Sequence, residues 1–320
     1  MLPTVTASRP ARFRRAIAFC SDANYLPFAL LAVAQIRATP GDGDFDILLC
    51  SGGTLAVPET LAHLDVRICR IDFGGLFDGL RLDPGRTPEI YVRLALPAAF
   101  APDYDRILYL DSDIFVQGGD FGALLRVDLG RHPVGAVRDN RQWRTPWRRP
   151  KQFQRLGLKT SPYFNAGVLL LDVARYNEAR ILERCVEFGR VNASRMMRHD
   201  QNLLNAVLQG DWAEFSPVWN WQYTWSSRLF EAMAGANILH FIGQKKPWNH
   251  SEGEFPLRFR HAYRDFLHAH FPDRAPLPPD GLSPFDNGAF LGKMLIKHLL
   301  AKNAMARYMA RFPSELTVCV

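Results

Sequence analysis

Arg106-Ile107-Leu108-Tyr109-Leu110-Asp111-Ser112-Asp113-Ile114-Phe115-Val116 sets an apolar run, short enough for a buried strand, against two carboxylates with one residue between them. Two acids at the end of a core strand are costly unless something offsets their charge. A divalent cation does so, and Asp-x-Asp at a strand end offers hard oxygen ligands to Mg²⁺ or Mn²⁺. Such a cation can hold a diphosphate. The stretch points to a metal-dependent enzyme acting on a nucleotide-linked substrate. The competing reading of the tripeptide alone is a surface turn.

Outward from this stretch, further strand-like runs occur at Arg14–Cys20, Phe45–Cys50, Val66–Ile71, Phe164–Leu171 and Asn237–Ile242. Helical patterns lie between them at Leu26–Ala38, Ile90–Phe100, Val173–Val191 and Gln201–Leu208. Strands alternating with helices predict an α/β fold, a largely parallel sheet covered on both faces. Ligands of such sheets sit at the carboxyl ends of the strands. Asp22 and Asn24, Asp111 and Asp113, and Gly243 each follow a strand at that end. A Pro/Asp/Gly-rich stretch predicts a linker over 272–287. It divides a body at 12–271 from a basic, helical tail at 288–320.

The chain has 320 residues and a formal net charge of +7. No apolar run reaches the ~18–20 residues of a membrane span, and the basic start followed by Asp22 and Asn24 does not read as a signal peptide. The five cysteines are scattered and lack CxxC spacing, which disfavours a disulfide framework or a zinc site and predicts a cytoplasmic protein. Arg131–Lys159 carries nine basic residues and one acid, and Gly288–Phe312 carries five basic residues and none. Both predict anionic partners, against the plainer reading of solvated basic faces.

Four more clusters carry candidate chemistry. Asp22, Asn24 and Tyr25 could bind a base by hydrogen bond and stacking, or simply cap the next helix. In His240-Phe241-Ile242-Gly243-Gln244-Lys245-Lys246-Pro247-Trp248, Gly243 lets the backbone approach a phosphate and Lys246 supplies a point charge. His240 could complete an Asp-Asp-His site, a mixed N/O set that suits Mn²⁺ better than Ca²⁺. Asn165, in Phe164-Asn165-Ala166-Gly167-Val168, stands at the mouth of an apolar strand, as a sugar ligand or a turn residue. Asp200 and Gln201 open a helix, where Asp200 also suits a cap.

Taken in order, these pieces with Tyr91-Val92-Arg93-Leu94 resemble the retaining glycosyltransferases of family 8. That family includes bacterial lipopolysaccharide galactosyl- and glucosyltransferases and, more distantly, glycogenin. The resemblance runs from Arg15 to Asn249 and implies a GT-A nucleotide-diphospho-sugar transferase fold. It implies that Asp111, Asp113 and His240 bind Mn²⁺ (or Mg²⁺), that Asp22, Asn24 and Tyr25 contact the uridine of a UDP-sugar, and that Gly243 and Lys246 hold the diphosphate. It places Arg93, Asn165, Asp200, Gln201 and Asp111 around the transferred sugar, and Asp139 on the acceptor side. The stretches Leu82–Pro88 and Gln244–Trp248 are expected to close over the donor.

The expected function is transfer of galactose or glucose from UDP-galactose or UDP-glucose to an oligosaccharide or glycolipid acceptor, such as lipopolysaccharide. A Mg²⁺-dependent nucleotidyl- or phosphotransferase also uses paired aspartates, but does not predict the Asn-Ala-Gly strand together with His-x-x-Gly-x-x-Lys-Pro-Trp. A nucleic-acid-binding module fits the charge but lacks any recognised signature, so no nucleic acid is expected. The basic, aromatic stretch Arg141–Lys151 departs from the family pattern and suits a charged glycolipid core. On a helix, Lys293, Lys297, Arg307 and Arg311 fall within an arc of roughly 80°. Leu291, Met294, Leu295, Leu299, Met305, Met309 and Phe312 lie mostly opposite, a pattern that suits an anionic membrane surface.

Overall fold

A computed structural model describes residues 3–41, 43–84, 88–197 and 199–320. Twelve strands form among them: β1 (Thr4–Ala7), β2 (Arg15–Cys20), β3 (Asp46–Ser51), β4 (Val66–Asp72), β5 (Arg106–Leu110), β6 (Ile114–Val116), β7 (Val134–Arg138), β8 (Phe164–Asp172), β9 (Ala213–Phe215), β10 (Trp221–Gln222), β11 (Ile238–His240) and β12 (Val318–Cys319). Nine build one twisted sheet in the order β1-β4-β3-β2-β5-β8-β7-β9-β12, and β10-β11-β6 form a small second sheet.

Successive strand residues point to opposite faces, and the core divides accordingly. Ile17 and Phe19 of β2 face one apolar cluster, with the helix Leu26–Arg37 and the helix Leu257–His270. Ala16 and Ala18 face the other, with the helices Val92–Ala99 and Ile181–Val191. Leu26–Arg37 is apolar on nearly every side because it is covered twice. The sheet lies beneath it, and outside Phe28 stacks on Trp248 with ring centroids 4.2 Å apart.

Strands β4-β3-β2-β5 run parallel, whereas β8 runs antiparallel to both β5 and β7. This makes the sheet mixed, and it matters for the site. The carboxyl ends of β5 and β7 lie at the same edge as the amino end of β8. Asp111, Asp139 and Asn165 therefore come to one rim. In the β7–β8 ladder the register jumps from Ala136↔Leu169 to Val137↔Asn165. Such a bulge re-aims side chains at a sheet edge. Here it turns Asn165 to Val168 toward Asp111, whose backbone N–H donates to the Gly167 carbonyl (2.8 Å).

The tail is tied to the body at several points. Phe290, Met294, Ala301, Met305 and Tyr308 of the helix Gly288–Met309 are buried, and β12 pairs antiparallel with β9. Arg260 donates to the carbonyls of Pro278 and Pro279 at 2.7 and 2.8 Å, pinning the irregular stretch before the helix. Arg311, grouped with the basic arc by sequence, instead pairs with buried Glu214 at 2.9 Å. Its apolar residues divide: Met294, Met305 and Phe312 face inward. Leu295, Ile296, Leu299 and Leu300 stay 47, 60, 69 and 74% exposed. No helix of the described residues is long and apolar enough to cross a membrane.

Candidate active site

The site grows from the end of β5. Asp113 Oδ1 lies 3.2 Å from His240 Nε2, and Asp111 Oδ2 lies 3.6 Å from it. One ligand atom from each of these three residues falls within 4.8 Å of the others. His240 reaches this place because β11 pairs with β6, the strand that follows Asp113, with His240 opposite Ile114. Its Nδ1 bonds Asn220 Oδ1 at 3.0 Å, which directs Nε2 at the carboxylates. Gly167 makes the room. A Cβ there would stand 2.1 Å from His240 Cε1 and 2.9 Å from Asp111 Oδ2.

The charges around the carboxylates are arranged in two layers. Burial alone would raise the Asp113 pKa, but His240 and the Lys246 ammonium outweigh it and hold the group well below the usual carboxylate range. Lys246 bonds Asp113 Oδ2 and the Phe241 carbonyl. On the other side, Arg93 bridges two acids, with Nη2 2.9 Å from Asp111 and Nε 2.9 Å from Asp200. Arg93 also donates to the Ala166 carbonyl (2.9 Å) and lies over the Tyr109 ring, 4.4 Å from its centroid. The Tyr109 hydroxyl donates to Asp111 Oδ1 (2.5 Å). Burial pushes the Asp200 carboxyl up, with Arg93 opposing.

Amides continue this network. Asn220 donates to Asn165 Oδ1 (2.9 Å), which also accepts from the Gly167 N–H (3.0 Å). Asn165 donates in turn to Gln201 Oε1 (3.4 Å), which accepts the Ala166 N–H (3.1 Å) as well. Gln201 Nε2 points to the Tyr163 hydroxyl (3.4 Å). The arrangement thus links Arg93, Asp111, Asp113, Asn165, Asp200, Gln201, His240 and Lys246 side chain to side chain. A donor set of two carboxylates and one oriented imidazole, with space kept by a glycine, fits Mn²⁺ or Mg²⁺. A second acidic group, His250, Glu252 and Glu254, is spanned by the Lys245 ammonium, 2.7 Å from Glu254 and 3.7 Å from Glu252.

Other expected residues stand at the rim. Asp22 Oδ1 accepts the Tyr25 N–H (2.9 Å) in the turn before the helix Leu26–Arg37, whose cap position is Tyr25 and has no side-chain cap bond, and Asp22, Asn24 and Tyr25 are all exposed. Gly243 has φ +92°, and a Cβ added there would meet nothing within 4 Å, so it borders open space. Asp139 caps the short helix Asn140–Trp143 through the Arg141 N–H (3.0 Å). Of the expected covering stretch Leu82–Pro88, residues 85–87 lie outside the described residues. Asn220, Tyr109 and Tyr163 were not singled out by sequence. Asn220 had one available signal: a polar residue between Trp219 and Trp221, in an otherwise apolar run.

Three comparisons bear on this site. A family model described as glycosyl transferase family 8 matches residues 16–252. The chain is 28% identical to general stress protein A of Bacillus subtilis, over 56% of this chain and 63% of that protein. It is 28% identical to the lipopolysaccharide 1,3-galactosyltransferase of Salmonella typhimurium, over 53% of this chain and 52% of that protein. The chain thus spans less than two thirds of the length of these relatives. A crystal structure of the galactosyltransferase LgtC with donor and acceptor sugar analogues superposes with a TM-score of 0.63 at 22% identity, covering 87% of this chain and 99% of that one. That is a likeness of fold.

Proposed function

The chain belongs to glycosyl transferase family 8, and on that premise we propose that it moves galactose or glucose from a UDP-sugar to a saccharide of a cell-surface glycan such as lipopolysaccharide, with retention. Its fold is of the GT-A type. The observation that carries the reading is the continuous network from the Asp111–Asp113–His240 cluster through Asn220 and Asn165 to Gln201. A cation-binding end and an amide-lined end, joined at one sheet edge, suit a diphosphate and a sugar side by side.

Asp111, Asp113 and His240 would hold Mn²⁺ or Mg²⁺, which when bound neutralises charge on a departing diphosphate. Lys246 adds a cation from the protein, and Gly243 lets backbone approach the phosphates. Asp22, Asn24 and Tyr25 receive the uridine. Arg93 fixes Asp111 and Asp200 beside the sugar. The Gln201 amide is a poor nucleophile and its Oε1 already accepts two N–H groups. On this reading the Asp111 and Asp200 carboxylates stay paired with Arg93 and attack is front-face: the acceptor oxygen bonds the anomeric carbon as that carbon's bond to the diphosphate oxygen breaks, and the acceptor's proton passes to that leaving oxygen. Asn165 and Gln201 orient the sugar for it.

The test is calorimetry of UDP with and without Mn²⁺, followed by product analysis with UDP-galactose and UDP-glucose. UDP binding is expected only with the metal. In Gln201→Ala, transfer is expected to fall by on the order of 10²-fold with UDP affinity kept, because Gln201 stands by the sugar end. Full turnover in that variant would remove Gln201 from the site, and metal-independent UDP binding would sink the metal role.

The tail helix carries the membrane part of the proposal. Leu295, Ile296, Leu299 and Leu300 form its outward strip, with Lys293 and Lys297 along one border, Lys302 along the other and Arg307 two turns on in line with the strip. An apolar strip between cations suits the headgroup region of an anionic leaflet. This would make the protein a peripheral one on the cytoplasmic face. Sedimentation with phosphatidylglycerol vesicles is expected to pull down the full chain. A Leu295→Ser/Leu299→Ser variant is expected to stay in solution; equal sedimentation of the two would refute the docking.

A further inference from the structure

The segment between β7 and β8 holds a rim of cations that the reaction above does not use. Arg141, Arg144, Arg148 and Lys151 are exposed, and no carboxylate pairs with them among the described residues. Arg138, by contrast, is buried and paired with Glu214 at 2.6 Å. Trp147, in the midst of the exposed cations, is 76% exposed. Like charges gathered this way repel one another, and the one acid of the segment, Asp139, is engaged at the helix cap through the Arg141 N–H.

The backbone bearing these groups is nonetheless anchored, and anchored to the site. Trp143 donates its indole N–H to the Arg138 carbonyl (2.6 Å) and stacks on Tyr308 with centroids 5.9 Å apart. Gln142 is buried and holds three backbone groups: it donates to the carbonyls of Arg148 (2.9 Å) and Ser161 (3.2 Å) and accepts the Tyr163 N–H (2.8 Å). Asp139 N–H donates to the Tyr163 carbonyl (2.8 Å). Tyr163 is the residue whose hydroxyl meets Gln201. One amide side chain therefore ties the Arg148 backbone to the strand entrance that lines the transfer position. The backbone that carries the rim is thus held, at Arg148, to the strand that enters the site.

We propose that the acceptor is an anionic saccharide, bearing phosphate or carboxylate on or next to the ring that receives the hexose. Arg141, Arg144 and Arg148 grip the anion, and the Trp147 face supports a sugar ring. Guanidinium forks match both anions in bidentate geometry, and exposed indole rings offer sugars an apolar face. This inference rests on the transferase reading and narrows its acceptor.

The probe is a lipopolysaccharide core oligosaccharide in three forms: native, dephosphorylated with hydrofluoric acid, and carboxyl-reduced. Each is titrated by calorimetry into the full chain holding UDP and Mn²⁺, with UDP-hexose hydrolysis measured separately. Native oligosaccharide is expected to bind at least about tenfold more tightly than one of the neutralised forms, and which form loses affinity names the anion. An Arg144→Gln/Arg148→Gln variant, unfolding at the parent's temperature, is expected to lose that advantage and to bind the neutralised form as the parent does. Equal binding of all three forms, or of none while UDP still binds, overturns the proposal. So does a double variant that keeps the oligosaccharide and loses phosphatidylglycerol vesicles, which would assign the rim to the bilayer. If UDP neither binds nor is released from UDP-hexose, it is the transferase reading that fails.

Discussion

Asp113→Asn is expected to abolish metal-dependent UDP binding and to cut hexose transfer by on the order of a thousandfold. The substitution keeps the shape and removes the charge. In the folded protein that charge is balanced by His240 Nε2 at 3.2 Å and by the Lys246 ammonium, itself buried against the Phe241 carbonyl. An amide leaves Lys246 without its counter-charge and the cluster with one anionic ligand, Asp111. Calorimetry with UDP and Mn²⁺ reads the binding and a product assay reads the transfer. Wild-type affinity in the Asp111→Asn/Asp113→Asn double variant would rule out the cluster as a metal site.

Arg93→Ala is expected to have the largest effect on stability, a loss of about 3–5 kcal/mol. Arg93 is the shared partner of Asp111 and Asp200, at 2.9 Å from each. Without it two largely buried carboxylates face each other with no cation between them. The loss should also depend on pH. Asp200 already sits above its ordinary range, and removing Arg93 raises it further. A carboxyl whose folded pKa is raised binds its proton more tightly when folded. The stability this gives is fully present below the unfolded carboxylate range and is lost as pH rises from there through the raised, folded pKa. Urea unfolding near pH 4 and near pH 7 tests this, with the larger deficit expected at pH 7. Asp200→Asn in the same chain should restore part of the loss. An Arg93→Ala protein as stable as the parent at pH 7 would show that the bridge is not structural.

The parts of the fold legible in the sequence are the long strands whose burial writes an apolar run. β2, β3, β5 and β8 announce themselves as apolar runs, because each is buried on both faces, whereas β4 alternates, with Arg67, Cys69 and Ile71 buried and Arg70 and Asp72 exposed. Their direction is less visible. β8 is as apolar as a parallel strand, and only the chain path through β7 shows that it runs the other way. Short strands are nearly silent. Ile114–Val116 looks like the continuation of one apolar run, yet it belongs to a different sheet, and its pairing with β11 is what delivers His240. The tail pattern suffers from a related ambiguity. A helix wheel separates apolar from charged residues, but not those that face the body from those that face water. Leu295 and Met294 look alike in sequence, yet Met294 is buried and Leu295 is about half exposed.

For the site, charged and glycine-flanked residues stand out, whereas their supports do not. Asn220, which orients His240, lies between two tryptophans and far from the Asp-Ser-Asp stretch in the chain. Tyr109 sits inside a strand that reads as core, and its hydroxyl is visible only once Asp111 folds back over it. Lys246, expected toward a phosphate, rests on Asp113, a contact across 133 positions that no local pattern encodes.

The tail helix is fastened to the body along its buried side and, past its end, by the β12–β9 pairing. Its inward side also stacks Tyr308 on Trp143, at the foot of the cationic rim. On a bilayer the helix would hold the catalytic edge at one height and one tilt, so that the fold itself acts as a gauge. Glycans whose receiving hydroxyl stands within that layer would be extended, while shorter and longer ones pass beneath or above it. Selection by distance from the lipid would then come from the way the end of the chain is fastened, independently of any contact with the sugar.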